Sequence, residues 1–248
     1  MILLRSIIFY LGLIVSQFIL LLLMPPIVVL PYRLRYRLLT RLGHFVIWWL
    51  AITCKLHYRI SGQENIPSNT AIILAKHQSA WETFALQLIF PPQTWVLKRS
   101  LFYIPIFGWG LMMLKAIGID RAAGRKALQQ VVQQGTARLN EGIWVVIFPE
   151  GTRTAPGERR KYNIGAAVLA KKSGYPIVPV AHNAGVFWPR NSILKHAGTI
   201  DVVIGPVIYP TGKGSAEIND LAESWIEATQ LRLDSTPDQP RSGNQSLI

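Results

Sequence analysis

Hydrophobic patterning is strongest at the start of the chain. Thirteen of the eighteen residues 6–23 are Leu, Ile, Val or Phe, and no charge falls in the 27 residues between Arg5 and Arg33. A helix needs ~20 apolar residues to cross a bilayer core. At roughly −0.3 to −0.6 kcal/mol for each such residue near a helix centre, these outweigh the few polar groups. Pro25 and Pro26 are expected to end or kink this helix. A basic amphipathic stretch follows, and then a second apolar segment, residues 42–56, which is too short to span. It is expected to lie at the interface or re-enter, returning the chain to the same side with Arg33, Arg35, Arg37 and Arg41 at the headgroups. A cleaved signal peptide is the competing reading, but the apolar region is long for one and Pro25-Pro26 is not a small-x-small cleavage site.

From about residue 61 the pattern changes to short apolar runs alternating with helical periodicity. Residues 71–75, 95–98, 144–148 and 177–181 are short and largely apolar, as strands buried on both faces are. Residues 199–204 also look like a strand. Between residues 124 and 141, Leu128, Val131, Val132, Gly135 and Leu139 recur at helical spacing, and Gly142 stops the run. Residues 162–173 predict another helix closed by Gly174, and residues 215–233 a last one. Strands alternating with helices predict an α/β fold, a mostly parallel sheet flanked by helices, behind an N-terminal hydrophobic membrane-anchoring helical segment. The expected organisation is anchoring helices in residues 1–60, the α/β catalytic domain in 61–234, and a disordered polar tail in 235–248.

Charge narrows the partners. The net charge is +13 over 248 residues, and residues 1–63 contain seven basic residues and no acid. Six acids lie from Glu217 onward, which leaves residues 1–216 with 24 basic residues against 7 acidic ones. Such a surface suits anionic membrane lipids, phosphate-bearing substrates or an acidic carrier. The interleaved Leu, Ile and Trp favour a membrane over nucleic acid, and no nucleic-acid motif is present. The single cysteine, Cys54, excludes an internal disulfide and a cysteine-based metal cluster. It lies in an apolar stretch and reads as a packed thiol rather than a nucleophile.

Candidate chemistry begins where the run 71–75 ends. His77 and Glu82 are five residues apart, too far to stack on one continuous helix face. If His77 lies in a loop and Glu82 in the first helical turn, the carboxylate reaches back to the imidazole. Glu82 then fixes the tautomer and leaves the other ring nitrogen free to take a proton. Two plainer readings compete. Ser79-x-x-Glu82 is also a capping box, so Glu82 can serve the helix N-terminus alone, and His196 with Asp201 repeats the same spacing. Context separates the two pairs, because Asp201 falls inside a strand-like run with no buried strand before His196. Ser79 as a covalent nucleophile is the weaker alternative, since capping already explains it.

Residues 148–153 read Phe-Pro-Glu-Gly-Thr-Arg and follow the apolar run 144–148. They put a carboxylate (Glu150), a flexible glycine (Gly151), a hydroxyl (Thr152) and a guanidinium (Arg153) at the carboxyl end of a buried strand, the edge where open α/β sheets bind ligands. Arg153 can grip a phosphate bidentately, and Gly151 lets backbone amides approach. Gly118-Ile119-Asp120-Arg121 ends another strand-like run and offers Arg121 as a second phosphate ligand. Residues 178–183 (Val-Pro-Val-Ala-His-Asn) end a further one, with His182 expected to be a loop or packing residue.

Together these segments resemble the glycerolipid acyltransferase family, and within it the 1-acyl-sn-glycerol-3-phosphate acyltransferases. The family's H-x-x-x-x-D motif corresponds to His77 through Glu82, and its K-x-x-L-x-x-I-P-x-x-G segment to residues 98–108. Its G-x-x-x-x-R segment corresponds to the run ending at Arg121, F-P-E-G-T-R to residues 148–153, and V-P-V-A to residues 178–183. The resemblance covers about residues 60–210. One departure is that Glu82 stands where Asp is usual. The same H-x-x-x-x-E form occurs in lipid A secondary acyltransferases, an assignment that F-P-E-G-T-R argues against.

The resemblance implies transfer of an acyl group from acyl-CoA or acyl carrier protein to the sn-2 hydroxyl of lysophosphatidic acid. His77 would be the base and Glu82 its partner. Arg153 and Arg121 would hold the phosphate, with Glu150 and Thr152 orienting the glycerol, and no metal or cofactor would be required. Backbone amides near the His77 loop would stabilise the oxyanion. The implied location is a bacterial inner membrane, with the catalytic domain on the cytoplasmic side. Three alternatives remain at this stage: another lysolipid acceptor, of ornithine or lysophospholipid type; a hydrolase using the same base; and a non-catalytic lipid-binding protein.

Overall fold

A computed structural model of the chain describes residues 1–234, and the expected disordered tail lies outside the described residues. Two long helices come first, α1 (Ile2–Val28) and α2 (Tyr32–Cys54). At 1.5 Å per residue α1 is about 40 Å long. It is the one described helix long and apolar enough to cross a membrane. Pro25 and Pro26 are taken into its last turn, and the helix ends at Val28. Near a helix end only a pair of backbone hydrogen bonds is forfeited, so the prolines terminate the helix without kinking its middle. The basic stretch and the second apolar segment, expected as separate pieces, form one continuous helix. Tyr36, Leu39, Gly43, Val46, Ile47, Leu50 and Cys54 make its buried face, while Arg33, Arg37 and Arg41 form an exposed stripe at every fourth position.

The rest of the chain alternates strand and helix. The strands are β1 (Leu56–Ser61), β2 (Ile72–Ala75), β3 (Gln93–Lys98), β4 (Ile117–Ile119), β5 (Trp144–Ile147), β6 (Ile177–His182) and β7 (Gly198–Ile204). The helices are α3 (Trp81–Ile89), α4 (Phe107–Met113), α5 (Arg125–Asn140), α6 (Gly165–Ser173), α7 (Ala184–Phe187) and α8 (Ser215–Asp234). Strand order is β1-β7-β6-β2-β5-β3-β4, and every pairing is parallel except β6 with β7. The mostly parallel sheet is as expected. β1 straddles the boundary expected at residue 60 and belongs to the sheet, pairing with β7 over six residues.

Alternation along the central strands sends Ile73, Ala75, Trp144, Val146, Val178 and Val180 into a core shared with α1, α2 and α3. Ile72, Leu74, Val145, Ile147, Ile177 and Ala181 face the opposite core, with α5, α6 and α8. α1 joins the first core through Phe9, fully buried and edge-on to Trp188, while most of its other apolar side chains are exposed. Because β2, β3, β4, β5 and β6 all point the same way, the segments that follow them collect at one edge. The chemistry singled out in the sequence therefore lies there.

Candidate active site

β2 delivers His77 into a short loop, and α3 begins four residues later at Trp81. Glu82 lies in the first turn of α3 and folds back, placing Oε1 2.7 Å from His77 Nδ1. The same oxygen accepts the backbone N–H groups of Gln78 and Ser79, each at 2.9 Å. Glu82 thus binds the N–H groups just ahead of the helix and holds the histidine at once. The longer Glu side chain spends its extra methylene on that fold-back. Burial pushes the Glu82 carboxyl up, but the hydrogen bond from His77, the neighbouring histidines and the Ser79 amide outweigh it, and the group stays below its ordinary value. An ionised acceptor at Nδ1 puts the proton on Nδ1 and leaves Nε2 as the basic nitrogen. The Gln78 and Ser79 amides are committed to Glu82 and so are not available to an oxyanion. Ser79 is fully buried, its hydroxyl accepting from Trp81 N at 3.1 Å.

The loop carrying His77 is held on both sides. The His77 carbonyl accepts from the backbone N–H (2.8 Å) and hydroxyl (3.1 Å) of Thr154, one residue beyond the hexapeptide. The preceding carbonyl, of Lys76, accepts from His182 Nε2 at 2.8 Å. Ala184 N donates to His182 Nδ1, which fixes that tautomer, and burial lowers the His182 pKa, keeping the ring neutral. The His77 ring itself stacks on Phe148, with centroids 4.1 Å apart.

The turn after β5 keeps its shape through two devices. Gly151 is left-handed (φ +71°), a conformation that favours glycine, and its carbonyl accepts from Arg121. The Pro149 carbonyl accepts the backbone N–H and the side-chain amide of Asn163, at 2.9 and 2.8 Å. Thr152 and Arg153 are part-exposed, and the Arg153 guanidinium makes no hydrogen bond or ion pair among the described residues. Arg190 donates to the Arg153 carbonyl, so the backbone is held while the side chain stays free. Glu150 is buried and faces Lys76.

His77, Phe148 and Arg121 border a cavity of about 250 Å³ that runs beneath α1, α2, α3 and α4. Its walls are apolar (Leu20, Leu39, Leu42, Trp95, Leu111, Leu114), and Lys98 and Arg121 are its cationic members. It is far larger than the voids close packing leaves. The close approach of α4 depends on Gly108, where a Cβ would sit 2.2 Å from the Phe102 carbonyl oxygen. The geometry brings His77 and Arg121 to the cavity, with Glu82 buried behind the imidazole, whereas Glu150, Gly151, Thr152 and Arg153 sit in the adjoining turn and do not line it. The competing pair does not form, since Asp201 is bound by Arg59 of β1 (Oδ2 to Nη2 3.2 Å). Sequence reasoning missed Thr154 and the cavity walls supplied by α1, α2 and α3. Only Lys76 left a signal, as the next inward position in the alternation of β2.

Comparison with known proteins identifies the family. The acyltransferase family model matches residues 57–183, and the chain belongs to the acyltransferase family. Within it, the chain is 44% identical over 244 residues to a 1-acyl-sn-glycerol-3-phosphate acyltransferase of Pseudomonas aeruginosa, covering 96% of this chain and 93% of the relative. It is 31% identical to a chloroplastic 1-acyl-sn-glycerol-3-phosphate acyltransferase of Brassica napus, over 71% of this chain and 52% of that longer protein. The fold is that of the 1-acyl-sn-glycerophosphate (LPA) acyltransferase PlsC from Thermotoga maritima. The TM-score is 0.79 at 21% identity, covering 95% of this chain and 97% of the other.

Proposed function

We propose that this acyltransferase moves a fatty acyl group from acyl-CoA or acyl carrier protein to the sn-2 hydroxyl of 1-acyl-sn-glycerol-3-phosphate, forming phosphatidic acid. The observation that carries the reading is a charge-held imidazole at the rim of an apolar cavity, with an unpaired arginine in the next turn. His77 Nε2 takes the hydroxyl proton as the oxygen attacks the thioester carbonyl, and Glu82 stabilises the imidazolium. Collapse of the tetrahedral species breaks the C–S bond, and the departing thiolate recovers the proton from His77. The cavity accommodates an acyl chain and Arg153 holds the acceptor phosphate, assisted by Arg121. The curated relatives' names support this acceptor over an ornithine lipid or another lysophospholipid. Purified protein in detergent, offered a panel of lysolipids with each donor type, is expected to turn over lysophosphatidate well above the others. Thioester loss independent of any lysolipid would show a hydrolase instead.

Membrane association follows from the same elements. The exposed apolar side of α1 and the arginine stripe of α2 suit a bilayer interface, with the catalytic edge at the cytoplasmic face of a bacterial inner membrane. Each basic residue near an anionic surface contributes about 1 kcal/mol. Arg33→Gln with Arg37→Gln is therefore expected to weaken binding to phosphatidylglycerol vesicles about 30-fold at low salt and less at high salt. Unchanged co-sedimentation at low salt would remove the stripe from the interface.

A further inference from the structure

The segment between α7 and β7 lies beyond residues 57–183, which the family model matches, and it carries two cations that the chemistry above does not use. One of them, Lys195, is 1% exposed and meets no carboxylate among the described residues. Its ammonium donates instead to the Tyr10 hydroxyl at 2.9 Å and to the carbonyls of Ser192 and Ile193 at 3.1 and 2.9 Å. It also lies over the rings of Tyr10 and Trp188, 4.6 and 4.8 Å from their centroids. The Lys195 backbone N–H donates to Ser6 Oγ at 2.9 Å, and Trp188 meets Phe9 edge-on. Ser6, Phe9 and Tyr10 share one face of α1, so the helix is seated on this segment.

At the other end of the same segment Arg190, which is part-exposed, donates to the Arg153 carbonyl. The turn between the two cations is tight. Asn191 is left-handed (φ +63°), a conformation Asn takes more readily than most residues, and Ser192 Oγ accepts from Leu194 N at 3.1 Å. One short stretch thus joins α1, which walls the cavity with Gln17 and Leu20, to the arginine assigned to the acceptor phosphate.

We propose that residues 188–195 form a strut between α1 and the acceptor site, in which Arg190 is a positioning residue for Arg153 and Lys195 sets Arg190 by fixing the segment to α1. The need for such a support lies in Arg153 itself. Its guanidinium has no partner among the described residues, so its backbone must aim it. Arg121 holds the Gly151 carbonyl and Thr154 is bound to the His77 carbonyl, while Arg190 holds Arg153 directly. A binding group displaced by ~1 Å can cost on the order of 10²-fold in rate.

This inference rests on the proposed grip of Arg153 on the acceptor phosphate, and a double-mutant cycle tests it. Arg190→Ala is expected to raise lysolipid KM roughly tenfold, the scale of one charge-assisted hydrogen bond, with kcat and donor KM nearly unchanged. In an Arg153→Ala background the same change is expected to raise KM no further, because nothing is left for Arg190 to position. Arg190→Lys keeps a donor for the carbonyl and is expected to lose much less. Lys195→Met keeps the bulk but removes the ammonium, and a smaller rise in lysolipid KM is expected, again only where Arg153 is present. An equal factor in both backgrounds would mean that Arg190 touches the lysolipid itself. A lower melting temperature with unmoved KM would mark a merely structural bond. Either result overturns the proposal, and an unmoved KM in Lys195→Met alone overturns the link to α1. Should Arg190→Ala not fold, the same cycle with Arg190→Gln decides. Failure of the acceptor reading itself would appear in Arg153→Ala alone, as a lysolipid KM that does not move.

Discussion

Replacing His77 by alanine is expected to lower kcat by at least ~10²-fold, the usual scale for a positioned general base, with the protein still folded. Folding is preserved because the loop is held through its backbone. Thr154 binds the His77 carbonyl and His182 the carbonyl before it, and neither bond involves the imidazole. Glu82 loses one donor but keeps the Gln78 and Ser79 amides, so no buried carboxylate is stranded. KM for both substrates should change little, since the imidazole acts on the reacting proton rather than on binding. His196→Ala is the control and should be nearly silent, because Asp201 is already bound by Arg59. Steady-state kinetics on soluble, cooperatively melting variants check both. An exchange of the two results would move the base to the other histidine.

Arg153 separates grip from chemistry. Its guanidinium can bind a phosphate through two parallel hydrogen bonds, whereas lysine offers a point charge. Arg153→Lys is therefore expected to raise lysolipid KM more than it lowers kcat. Arg153→Ala should lower kcat/KM for the lysolipid by roughly 10²-fold, as loss of a charge-assisted pair does. Donor KM should move much less. The turn should survive either change, since Gly151, Asn163 and Arg190 hold its backbone and no described residue depends on the guanidinium. If Arg153 instead clamps the phosphates of CoA, donor KM rises selectively. Loss of folding with no preference for either substrate would mark a structural role. Titrating each substrate at saturating levels of the other distinguishes the three.

Much of this site could be read from the chain because its parts are local. The His77 and Glu82 pair spans five residues, and the physics that joins them, a strand ending, a helix starting and a carboxylate seeking N–H donors, is contained in those residues. The strands were legible for a similar reason, since runs such as residues 144–147 are apolar on both faces and only a central parallel strand buries both. Patterning also located the two N-terminal segments. It divided what proved to be the single helix α2, because a basic face and an apolar face alternate along it, and only packing against α1 and α3 shows that one helix carries both.

What the sequence by itself determined was therefore the fold class, the long apolar α1, the pairing of His77 with Glu82 and the arginines near that edge of the sheet. The tertiary structure alone decided the antiparallel turn of β7, the inclusion of β1, the cavity beneath α1 and α2, and the partners of the buried charges. Lys76 meets Glu227 across 151 residues, Arg59 meets Asp201 across 142, and Thr154 holds His77 across 77. Hydrophobic periodicity and capping act within a turn or two of chain, so they can be read in order. A buried ammonium must find whichever carboxylate the closed sheet and its covering helices bring near, and that choice exists only once the layers have packed.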